Sequence, residues 1–203
     1  MARPINPERK QQRRQQILHA AGQCFVQHGF HRTSVQQICD AAQMSPGGLY
    51  RHFKSKDDII VAIAEEERRS TLELAAWLNT APKPLQALVD MPEPVLAAYQ
   101  QPEQVALAIE VLAEAARNDV VASVLNDSQQ QLQQAITHAL ERAREQGELD
   151  TQAINDAHIA KTIMALLEGF ITHASGSDRS APRAFADTAK RLIKALLGAD
   201  NRN

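Results

Sequence analysis

Apolar residues recur along most of this chain at intervals of three and four, the period of an α-helix packed on one side. Ile17, Ala20, Ala21, Cys24 and Phe25 form one such stripe, opened by Asn6-Pro7-Glu8 and closed by Gly29, which predicts a first helix. Ser34-Val35-Gln36-Gln37 reads as a capping box, and Val35, Ile38, Cys39 and Ala42 give a second helix its buried face. Ser45-Pro46 starts a third, very short helix ending near Phe53, and Ser55-Lys56-Asp57-Asp58 caps a fourth that runs to about Asn79. A fifth segment, 84–100, carries Pro92 and Pro94 and is expected to kink or split. Further helices are expected from Pro102 to Asn118, from Asp119 to Gly147, over 152–174, and from Pro182 to Gly198. Ser175–Ser180 reads as a loop and Asp200–Asn203 as a frayed tail. Strand signals, in which β-branched and aromatic residues alternate, are nearly absent. The pattern therefore predicts an all-α chain.

Composition narrows the class. The 203 residues are 44% hydrophobic and 23% charged, an ordinary globular balance, and suffice for one large domain or two modest ones. No run of 18 apolar residues occurs and the basic N-terminus lacks an apolar signal core, so a cytoplasmic protein with no membrane partner is expected. Cys24 and Cys39 are too few, and too deep in helices, for a disulfide framework or a zinc site.

Charge is distributed unevenly. Of 22 basic and 24 acidic side chains, residues 1–56 hold nine and two, leaving 13 and 22 for the remainder. A basic end on an acidic body fits a polyanion-binding module, or a basic solubilising segment; charge alone leaves both open. The Arg9-Lys10-Gln11-Gln12-Arg13-Arg14 stretch is open in the same way, either a phosphate or minor-groove contact or an exposed helix face.

Two short helices joined by a tight turn and buttressed by a longer first helix have a helix-turn-helix layout. Leu49 and Phe53, four apart, would anchor the second short helix while Tyr50, His52 and Lys54 point outward as donors. The stretch Thr33-Ser34-Val35-Gln36-Gln37-Ile38-Cys39, followed by Leu49-Tyr50-Arg51-His52-Phe53-Lys54-Ser55-Lys56, resembles the TetR family of one-component repressors, over about residues 10–60. The resemblance implies phosphate contacts from Tyr50, His52 and Lys54, from Thr33 and Ser34 at the start of the second helix, and from Lys56. It also implies base reading at Gln36, whose amide suits the adenine edge. Gly47-Gly48 stands where many relatives carry longer polar side chains. Sparse direct readout is expected in consequence, with weight on Ser45, Pro46, Arg51, close backbone approach at the two glycines, and DNA shape.

By the same resemblance the chain divides at 55/56: a three-helix DNA-binding domain over 1–55, and a helical ligand-binding and dimerisation domain over 56–203. Trp77 and Tyr99 are candidate lining residues of an inducer pocket, or plain core. Glu110 and Glu114, four apart in an otherwise apolar helix, either select a cationic ligand or pair with neighbours. His138 and His173 are expected to be hydrogen-bonded rather than metal-bound. The helix over 152–174 is apolar nearly all round, and the last helix adds Phe185, Ala189, Leu192, Ile193 and Leu196, more than one protomer can cover. A homodimer on a palindromic operator follows. No phosphate loop, metal-ligand cluster or activated nucleophile is present, so neither an enzyme nor a cofactor is expected. The expected function is a repressor released from operator DNA by a small-molecule inducer. The alternative is a DNA-binding protein of the same fold, controlled by a protein partner or acting on chromosome architecture.

Overall fold

A computed structural model describes residues 7–149, 155–173 and 181–198, without the side chains of 170, 173 and 181–183. The expected Asn6 cap, the start of a helix at 152, the Ser175–Ser180 loop and the Asp200–Asn203 tail lie outside the described residues. Among the described residues there are ten helices and no strand: α1 Pro7–His28, α2 Val35–Ala41, α3 Pro46–Leu49, α4 Lys56–Thr80, α5 Pro84–Asp90, α6 Pro92–Ala98, α7 Pro102–Ala115, α8 Asp119–Glu145, α9 Asp156–His173 and α10 Ala181–Leu196. The proline-rich fifth segment is split outright, with Met91 closing α5 and opening α6. Helix ends fall where the chain reaches a left-handed glycine: Gly29 at φ +77°, Gly147 at +70° and Gly198 at +66°.

The chain forms two compact units, Met1–Glu67 with Ala106–Leu125, and Arg68–Val105 with Asn126–Asn203. The start of α4, to Glu67, and α7 from Ala106 onward belong with the N-terminal helices in the first unit. In the first unit Ile17, Phe25, Ile38, Leu49, Ile59 and Ile60 are fully buried. Each such side chain contributes about 1.5–3 kcal/mol relative to exposure. The second unit centres on Leu78, Leu88, Met91, Ile136, Leu140 and Ile163. There Arg142 of α8 caps the C-terminal end of α4, donating to the carbonyls of Leu78 (3.3 Å), Asn79 (2.7 Å) and Ala81. Lys190 ties α10 to Asp90 (2.8 Å) and Glu93. Burial alone would push the Asp90 carboxyl up, but hydrogen bonds from Lys190 and Gln86, with the charges of Lys190 and Lys194, outweigh it and hold the group low.

Trp77, a candidate for pocket lining or plain core, is 40% exposed, and Ile109 and Leu112 of α7 are 38% and 54% exposed, while Leu78, Val105, Leu132 and Ile136 are buried. No described helix is long and apolar enough to cross a membrane.

Candidate nucleic-acid interface

Two side-chain caps build the helix-turn-helix. The Ser34 hydroxyl oxygen accepts from the Gln37 amide (3.2 Å), and the Gln37 side chain accepts from the Ser34 amide (2.8 Å), so the capping box is complete. Ser45 repeats the device on α3, accepting from the Gly48 amide at 3.2 Å. Between them Gln43 takes φ +52°, the left-handed residue that turns the chain, and Gln16 of α1 pins this turn through the Ala42 carbonyl at 2.9 Å. Ile38, Cys39, Leu49 and Phe53 face inward. Burial pushes both the Cys24 and the Cys39 thiol up, and Asp40 adds to the shift at Cys39, so neither has the thiolate character of a redox sensor.

What remains outside is a set of donors. Tyr50 is 51% exposed, so it is not a core ring. Ser34, Gln36, Ser45, Pro46, Gly47, Arg51 and Lys54 are exposed, with Gly48 and His52 half-buried. Gln36 donates to Asp40 at 2.7 Å, one turn on, which holds its amide along α2. A Cβ on Gly47 would meet nothing within 4 Å, so its backbone stands open to an approaching surface.

Two expected phosphate contacts are placed elsewhere. Thr33 is 2% exposed, and its hydroxyl donates to the carbonyls of Gly29 (2.8 Å) and Cys24 (3.1 Å), tying the loop to the end of α1. Lys56 donates to the carbonyls of Phe30 (2.7 Å), His31 (3.2 Å) and Thr33 (2.9 Å). Those three bonds use all three ammonium protons. Its cation also lies 4.6 Å above the Phe30 ring. Both residues hold the α1–α2 loop that presents Ser34, and neither offers a donor to a phosphate.

The acidic pair is placed differently too. Glu110 accepts from the Phe30 amide at 3.3 Å, and Glu114, only 4% exposed, lies 3.1 Å from His31 Nε2. That approach is within ion-pair range, and Glu114 Oε2 makes no hydrogen bond among the described residues. Both acids thus grip the α1–α2 loop inside the first unit instead of lining an inducer pocket. Trp77 and Tyr99 belong to the second unit, the latter half-buried. A shallow cleft of about 320 Å³ there, between α8 and α9, is bordered by Gln129, Gln133, Lys161, Met164 and Glu168, a mostly polar set. His138 Nδ1 meets Asn79 Oδ1 at 3.3 Å.

Residues 17–63 match the family description "Bacterial regulatory proteins, tetR family", and residues 84–198 match "BetI-type transcriptional repressor, C-terminal". The chain belongs to the TetR family. Among TetR-family relatives it is 29% identical over 190 residues to the HTH-type transcriptional regulator UidR of Escherichia coli, covering 92% of this chain and 93% of the relative. It is 24% identical to the HTH-type transcriptional repressor AcnR of Corynebacterium diphtheriae, covering 90% and 92%. The solved structure of Salmonella enterica GusR superposes with a TM-score of 0.74 at 30% identity, covering 97% of this chain and all of that one. As a TetR-family protein the chain is a transcriptional regulator of repressor type and not an enzyme. The family binds operator DNA, dimerises and takes small-molecule ligands. In this chain α3 is the single turn Pro46-Gly47-Gly48-Leu49, followed by an exposed Tyr50-Arg51.

Proposed function

We propose that this regulator binds a palindromic operator as a homodimer, with Ser34, Gln36, Ser45, Gly47, Gly48, Tyr50, Arg51, His52 and Lys54 at the DNA surface, and that a small molecule releases it. The observation that carries this is the division of labour around α3. Leu49 and Phe53 are buried while Tyr50, Arg51 and Lys54 between and beyond them are exposed donors, the arrangement phosphate contacts need. Gln36 is left as the side chain with the best chemistry for a base edge. Dimerisation is supported by uncharged positions left outside on α9 and α10, Thr162 and Ala165 on one and Thr188, Leu192 and Ala195 on the other, flanked by exposed charges at Lys161, Glu168, Asp187, Arg191 and Lys194.

Release requires that a ligand favour one arrangement of the protein over another. The grip of Glu110 and Glu114 on Phe30 and His31 gives α7 a direct hold on the loop that presents α2. A ligand that displaces α7 would move that loop, and with it the Ser34 cap.

Titration of purified protein against the duplex upstream of its own gene, at two salt concentrations and beside a random duplex, tests the reading. Tight, salt-sensitive, sequence-selective binding at two protomers per site is expected. Equal weak binding to both duplexes, followed by no enriched sequence in a selection from a random pool, would overturn operator recognition.

A further inference from the structure

The cations on the first half of α1 play no part in the interface described so far. Lys10, Arg13 and Arg14 are spaced i, i+3 and i+4, and so share one face of the helix. Continued along the helix, that face becomes Ile17, Ala21 and Cys24, all buried. The stripe that packs α1 onto α2 and α3 therefore runs on past the core as three positive charges. Two contacts register this overhang. The Arg14 guanidinium lies 4.3 Å over the Phe53 ring, and Gln16 donates to the Ala42 carbonyl.

His52 stands beside Phe53, in the turn after α3, within the field of all three. Partial burial, and then the charges of Lys10, Arg51, Arg14 and Arg13, press its pKa below the ordinary imidazole value; no carboxylate is among the groups acting on it. Four like charges around one imidazole repel one another in the free protein. Binding an anion reverses the sign of that interaction.

We propose that Lys10, Arg13 and Arg14 of α1, with Arg51 and His52, form one composite site for backbone phosphates of the duplex, flanking the part of the operator under α3. The site rests on the DNA-binding function proposed above and extends it to α1, beyond the helix-turn-helix itself. A consequence follows for protons. Phosphates stabilise the imidazolium, so binding raises the depressed His52 pKa and takes up a proton. Duplex affinity is then higher at low pH and falls as pH rises from the free to the bound His52 pKa, by at most about tenfold per pH unit.

The test compares wild type with Lys10→Ala/Arg13→Ala, leaving Arg14 on its ring, using a fluorescein-labelled random-sequence duplex. Each phosphate contact contributes about 0.9 to the slope of log affinity against log salt, so the double variant should be shallower by about 1.8. Lys10→Ala alone, at an exposed position, should give half of that. Proton NMR of the free proteins should show the His52 titration moved upward in the double variant, and His52→Gln should remove the proton-linked part of duplex binding. Inorganic phosphate alone should perturb the His52 resonance far less readily than duplex does. An unchanged salt slope in a variant that still folds, an unmoved His52 titration, or saturation by free phosphate as readily as by duplex would each overturn the composite site while leaving the proposed function standing. A wild type that binds no duplex would overturn both.

Discussion

Lys54 and Lys56 are two residues apart, and nothing in their sequence setting distinguishes them: both follow a helix-turn-helix and both are expected at phosphates. Their surroundings separate them. Lys54 is exposed, whereas the Lys56 ammonium is fully used by three carbonyls of a loop 23–26 residues earlier. Carbonyl partners leave no trace in sequence, because every residue has one; Thr33 was hidden for the same reason. Lys54→Ala should reduce the salt slope of duplex binding by about 0.9 and leave the melting temperature nearly unchanged. Lys56→Met should do the reverse. It keeps the stem but strips charged donors from three carbonyls, at a cost of about 2 kcal/mol, with no loss in salt slope. Thermal unfolding alongside duplex titration reads both, and a Lys56→Met protein with wild-type stability and a shallower slope would restore Lys56 to the phosphates.

At the scale of elements, the helices were largely legible. Caps, prolines and terminal glycines are local signals, which is why the Ser34 capping box, the start of α3 at Ser45-Pro46 and the break before α6 fall where the sequence puts them, while α3 ends at Leu49, a turn short of the expected Phe53. The role of α7 was not legible. Its acids are spaced like groups facing a pocket, but their partners lie about 80 residues away in the loop after α1. A double-mutant cycle on that contact separates charge pairing from packing. His31→Ala should destabilise the wild type by about 1 kcal/mol, a modest figure because the imidazole is largely exposed, and should cost almost nothing once Glu114 is Gln. Equal costs in both backgrounds would show that the pair carries no coupling. The glycines of α3 make a second prediction. Nothing lies within 4 Å of a Cβ built at Gly47, so Gly47→Ala should stabilise the protein by about 0.4–1 kcal/mol through the unfolded chain. If the α3 backbone approaches the groove closely, the same methyl group should weaken duplex binding; a more stable protein with unchanged affinity would remove close approach at that position.

At the scale of the whole molecule, the sequence argument for a second copy was that one protomer cannot cover two apolar helices. The second unit refines it. Ile159, Ile163 and Leu167 of α9, and Ala189 and Ile193 of α10, are buried within the protomer, so most of the apolar surface needs no partner. What stays outside is narrower: Leu192 at 48% exposure on α10 and the small side chain of Ala165 on α9, next to the half-buried Gly169, where a Cβ would meet nothing within 4 Å. Small residues let helices from two protomers approach closely, and Leu192 is the one large apolar side chain exposed on this part of α10 among the described residues, so a partner there would bury it. Leu192→Asp places a charge there and should convert a dimer to a monomer in sedimentation equilibrium. The protomer fold should persist, since the side chain contributes little to the internal core. Operator binding should suffer far more than binding to random duplex, because a palindrome held by two linked recognition helices gains from the effective concentration that the dimer supplies, and a single helix does not. If Leu192→Asp remains dimeric, the interface lies on another face of the molecule. If it becomes monomeric yet keeps full operator affinity, each protomer reads its site alone, and the operator need not be a palindrome.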